Sequence, residues 1–126
     1  MEKFEWKVEK DVFYFNYLEM ASTVEEAQEQ ANFVRSQLAK PEIKKFLNDN
    51  RNVTSVAAPE VGAVWGELMA TVSSQVEKNA TIAPSASLKM QLNRLSKQSG
   101  TYDSVRAFTD INQALDFMEV PDFKLS

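Results

Sequence analysis

The side chains able to do chemistry here are few in kind. Neither histidine nor cysteine occurs among the 126 residues. Without imidazole, the commonest general base and the commonest zinc ligand are gone. Without thiol there is no thiolate nucleophile, no disulfide framework and no cysteine metal site. Ser-His-Asp and Cys-His catalysis are therefore excluded within one chain. Carboxylate, hydroxyl, amine and guanidinium groups remain, and the stretch that would present some of them at the ligand crevice of a sheet is FLNDNRNVTSVAAPEVGAVWGEL, from Phe46 to Leu68. It holds the candidate binding residues Asp49, Arg51, Thr54, Ser55 and Glu60. A hydrolase built on paired carboxylates would need Glu60 or Asp110 to converge on Asp49. Each of the three has a structural role that competes with that one. Asp49 suits a turn ordered through its own backbone, and Glu60 and Asp110 stand at helix starts, where carboxylates cap or complement the dipole. We expect no catalytic residue, no metal and no cofactor.

The elements around this stretch decide what it can present. Phe46-Leu47 reads as the end of a buried strand, Asn48 to Asn52 as a polar turn, Val53 to Ala58 as a loop, and Pro59 as the opening of a helix. A strand that feeds a helix through such a loop is the unit of an α/β sheet, and ligands gather at the carboxyl ends of its strands. Upstream, Phe4, Trp6 and Val8 alternate with charged residues, a half-buried strand. Lys10-Asp11 reverses the chain into a second strand, Val12 to Leu18, which carries bulk on both faces and must be covered on both. Ser22 with Glu25, or Thr23 with Glu26, boxes the start of a helix whose stripe is Val24, Ala27, Ala31, Val34 and Leu38. A third strand spans about Ile43 to Leu47. The Pro59 helix runs to about Ser74, with Val61, Val64, Trp65, Leu68, Met69 and Val72 inward; Gly62 and Gly66 read as close helix packing, since no phosphate-loop pattern accompanies them. A strand at Asn79 to Ala83, a helix with Leu88, Leu92 and Leu95 inward and Gly100 as its stop, a strand at Val105 to Phe108 and a helix begun by Asp110 complete the chain.

The order ββαβαβαβα predicts an α/β fold: an N-terminal hairpin, then βα repeats, forming a five-stranded, mostly parallel sheet with four helices. That order resembles the STAS and SpoIIAA-like domains, regulators of the anti-sigma-factor-antagonist type. In their central motif the chain keeps Asp49 and Val53, and Val61-Gly62 matches the helix start. Thr81-Ile82-Ala83, Met90 to Leu95, and Val105 to Asp110 with Ala114, Leu115 and Phe117 resemble the second half of the broader SpoIIAA-like branch, sometimes grouped with the CRAL-TRIO lipid-transfer domains. The resemblance covers nearly the whole chain. It implies a non-catalytic regulatory or protein-interaction module, with a small apolar ligand or lipid as the alternative occupant. Members with a phospho-switch carry a serine at the second-helix start. Here that stretch reads Ala57-Ala58-Pro59-Glu60. The hydroxyl is missing and Glu60 adds negative charge, which argues against such a switch.

The size suits one domain over residues 1–126, long enough to bury roughly two thirds of its unfolded surface. The net charge of −4 opposes nucleic acid, and Lys89, Arg94 and Lys97 on the third helix read as a solvated face. The N-terminal MEKFEWKVEK resembles neither a signal peptide nor a membrane span, so cytoplasm is the expected compartment. Sequential right-handed crossovers place helices on one side of a sheet. The other face would then lack a layer. Trp6, Phe13, Phe15 and Tyr17 are accordingly expected at a homodimer interface, with the tail residues Phe123 and Leu125 as the competing cover.

Overall fold

A computed structural model describes residues 4–18, 21–51, 59–120 and 123. Its elements in chain order are β1 (Phe4–Glu9), β2 (Val12–Tyr17), α1 (Val24–Leu38), β3 (Lys45–Asp49), α2 (Pro59–Gln75), β4 (Lys78–Ile82), α3 (Ala86–Ser99), β5 (Val105–Phe108) and α4 (Ile111–Phe117). The sheet runs β1-β2-β3-β4-β5, so every strand lies beside its neighbour in sequence. β1 and β2 are antiparallel, and the remaining pairs are parallel. This is the α/β architecture expected, with its hairpin, five strands and four helices. The hairpin turns at Lys10, whose φ of 56° lies in the left-handed region.

Two clusters make the core. On one face, Phe13, Phe15, Tyr17 and Phe46 meet Ala27, Ala31, Val34 and Leu38 of α1 and Val61, Val64, Leu68 and Val72 of α2. On the other, Val12, Tyr14, Leu47, Ala80 and Ile82 meet Ala114, Leu115 and Met118 of α4, together with Phe123. β2 is therefore covered on both sides, as its bulk requires. The expectation of an unlayered face is corrected. The crossover rule governs helices that link parallel strands. α4 follows the last strand, is free of that rule, and folds onto the second face.

The local rules hold where side chains cap backbone. Thr23 accepts the Glu26 N–H at the start of α1, and Glu26 in turn accepts the Ser22 N–H. Ser85 caps α3 and Asp110 caps α4. Gly100 ends α3 at φ 77°. Two other expectations need correction. A Cβ built on Gly62 or Gly66 meets nothing within 4 Å, so neither glycine serves close packing. Leu95 faces solvent, 60% exposed, because α3 turns Asn93 and Ser96 inward instead. Trp65 faces inward as expected, packing at the margin of the first cluster against Phe15 and Tyr17. Met69's side chain lies outside the described residues.

β5 is an edge strand, and α3 seals it. The Asn93 side chain accepts the Ala107 N–H (2.8 Å) and donates to the Ala107 carbonyl (3.1 Å). One amide thus stands in for the missing neighbour strand, a guard against edge-to-edge association.

Candidate functional site: a committed carboxylate at the end of β3

β3 runs two residues further than the apolar pair Phe46-Leu47 suggests, ending at Asp49. Asn48 and Asp49 are strand, not turn, because β3 is held on both sides by β2 and β4. Alternation puts Asp49 on the same face as Leu47, beside Tyr14 of β2, on the side that α4 and Phe123 cover. The carboxylate is fully buried.

An ionised carboxylate inside a protein is costly unless its oxygens are all engaged. Here they are. Tyr14 donates its hydroxyl to Oδ2 at 2.7 Å. Arg51 donates its backbone N–H to Oδ1 at 3.1 Å, Nε to Oδ1 at 3.0 Å and Nη2 to Oδ2 at 2.7 Å. The two guanidinium bonds form a bidentate pair, the strong geometry for Arg and carboxylate. The backbone bond, two residues on, orders the chain as it leaves the sheet. Asn50 continues the strand direction by donating to the Ile82 carbonyl at 2.9 Å.

Charge follows geometry. Burial by itself would raise the Asp49 carboxyl, but the hydrogen bonds from Arg51 and Tyr14 outweigh it and hold it below its ordinary value. The Tyr14 phenol is raised, first by burial and then by its bond to Asp49. The Arg51 guanidinium is raised by the same carboxylate. The site is a neutral phenol, a carboxylate and a guanidinium, fixed over a wide pH range. The Arg51 side chain remains 44% exposed, just beyond the carboxyl end of β3.

The other predicted site residues are placed less compactly. Glu60 is exposed in the first turn of α2, which packs on the opposite face of the sheet from Asp49. Asp110 spends its carboxylate on the Asn112 N–H at 2.8 Å. Neither is among the hydrogen-bond partners described for Asp49, so the carboxylates do not converge. Thr54 and Ser55 lie outside the described residues, as do Ala57 and Ala58 at the phospho-switch position. Phe13, Phe15 and Tyr17, expected at a dimer interface, are buried under α1 and α2 of their own chain, which corrects that assignment; Trp6 stays 47% exposed. Tyr14 is the member of this candidate site that sequence reasoning missed. Its signal was parity: once β2 and β3 run parallel, a tyrosine in step with Leu47 lies beside Asp49.

Elsewhere, an open groove of about 430 Å³ lies at the opposite end of the sheet, lined by Leu38, Pro41 and Ile43 and by the charged Lys40, Lys44 and Glu77. Among the described residues, no three acidic side chains are grouped to hold a metal ion, and no helix is long and apolar enough to cross a membrane. No family model, curated protein or solved structure matches the chain.

Proposed function

We propose that this protein is a non-catalytic regulatory module of the SpoIIAA/STAS-like type, acting in the cytoplasm by binding a protein partner. The observation that carries the reading is the state of Asp49. A general base needs a free lone pair and a pKa near the working pH. The Asp49 carboxylate has neither, because Tyr14 and Arg51 occupy it and hold it ionised. What it does instead is aim a guanidinium. Arg51, tethered at two nitrogens and still 44% exposed, is preorganised to meet a carboxylate or carbonyl of a partner at the carboxyl end of the sheet. The groove at Leu38 to Lys44 gives less support to an apolar ligand, being open and lined by charge as well as hydrocarbon.

The test is comparative capture from the native cytoplasm. A partner retained by the wild type should be lost with Arg51→Met, which keeps the stem and removes the fork. It should be kept with Arg94→Met, an exposed arginine on α3. Equal retention by both variants would overturn the role given to Arg51. Turnover of a substrate by purified protein, abolished by Asp49→Asn, would overturn the non-catalytic reading.

A further inference from the structure

The two edges of the sheet are treated differently. β5 is sealed by Asn93. Among the described residues, β1 has no such plug and no strand pairs with its outer side. It also carries two of the large apolar side chains most exposed to solvent, Trp6 at 47% and Val8 at 42%. We infer that β1 is a homodimer seam: two copies pair antiparallel through β1, with Trp6 on the two-fold axis, and join their sheets into one.

The register follows from the hairpin. Glu9 opposes Val12 across the two-residue turn, so Glu9, Lys7 and Glu5 direct their backbone groups toward β2. Phe4, Trp6 and Val8 direct theirs outward. An antiparallel copy centred on Trp6 sets Trp6 against Trp6 and Phe4 against Val8, and these are the pairs that exchange backbone hydrogen bonds. Between them fall Glu5 and Lys7 of the second copy, opposed twice by symmetry. They occupy the non-hydrogen-bonded positions, where cross-strand side chains come closest. The segment FEWKV is thus complementary to itself when reversed: apolar on apolar, acid on base. On the α1 face, each Trp6 already leans on Phe33 at 5.2 Å, so the paired indoles extend the first core cluster across the seam. On the other face, Lys7 sits over Phe123 at 4.7 Å and is held in place to meet the opposing Glu5. This differs from association through an open sheet face, since both faces are covered. It deepens the protein-binding reading by naming one partner, a second copy, and it uses the side of the sheet away from Arg51's role.

Sedimentation of the full chain across micromolar to submillimolar concentrations reads the outcome directly. A dimer is expected for the wild type. Lys7→Glu sets like charges opposite each other twice and should weaken it at least about tenfold. The double variant Glu5→Lys with Lys7→Glu restores opposite charges in every cross pair and should recover most of that loss. Trp6→Lys, at a half-exposed position, should leave a folded monomer by circular dichroism. A wild type that stays monomeric throughout would overturn the seam. So would a dimer indifferent to Trp6→Lys, or one that the double variant fails to rescue. Loss of the seam leaves the Arg51 capture experiment untouched, so the two readings fail separately.

Discussion

A buried charge survives at Asp49 because its neighbours were placed to receive it. The turn-ordering half of that arrangement was readable from sequence, since an aspartate two residues before Arg51 in a polar stretch favours such a bond. The Tyr14 half was not. It joins residues 35 apart in sequence and exists only once β2 and β3 pair in register. The arrangement has a pH signature. A carboxyl whose folded pKa is depressed binds fewer protons in the native than in the unfolded state. Its stabilisation is present above the unfolded value of about 4 and is lost as pH falls through the lower folded value. A phenol whose folded pKa is raised behaves the opposite way: its share is present below about 10 and is lost as pH rises beyond. Urea unfolding of Asp49→Asn should therefore show a loss of about 1.5–3 kcal/mol at neutral pH. It should also show a shallower decline than the wild type on acidification. An acid limb unchanged by the substitution would mean that Asp49 is not held below its ordinary value.

At the scale of elements, what the sequence revealed well was periodicity, and what it hid was orientation. The α1 stripe Ala27, Ala31, Val34 and Leu38 is buried as its spacing demands. α3 has a similar spacing of leucines, yet Leu95 points outward and Asn93 inward, because the helix must satisfy the bare edge of β5. Buried backbone groups without partners cost more than a leucine left in water. β3 shows the same priority: paired on both sides, it stays strand through Asn48 and Asp49 despite their turn-favouring chemistry. α2 offers the clearest test of an overturned reading. Gly66 is exposed, and the space beside it is open. Glycine within a helix costs roughly 0.5–1 kcal/mol relative to alanine through its unfolded-state freedom. Gly66→Ala should raise the free energy of unfolding by that amount, moving the denaturation midpoint up with an unchanged slope. A destabilised variant would restore the close-packing role.

The whole molecule is three layers thick, and its last layer arrives late in the chain. α1 and α2 close one face, and α4 with Phe123 closes the other. Phe123 was recognised in the sequence as a possible cover, but its docking depends on α4 turning back under the sheet, which no local pattern dictates. Once there, the ring packs on Tyr14 at 6.0 Å and carries Lys7 above it. Phe123 thereby shields the phenol that holds Asp49, so a residue more than seventy positions further along the chain helps set the electrostatics at the end of β3. Phe123→Ala removes that shield. A buried phenylalanine reduced to alanine typically costs about 3 kcal/mol or more, and the melting temperature should fall accordingly. The more specific consequence is electrical. Burial is the first cause of the raised Tyr14 phenol, so opening this face to water should move its ionisation down, toward the ordinary value of about 10. Ultraviolet titration of the tyrosines in Phe123→Ala, with Tyr14→Phe to identify the band, follows that shift. A Tyr14 phenol that ionises at the same pH with and without the ring would show that Phe123 merely covers hydrocarbon.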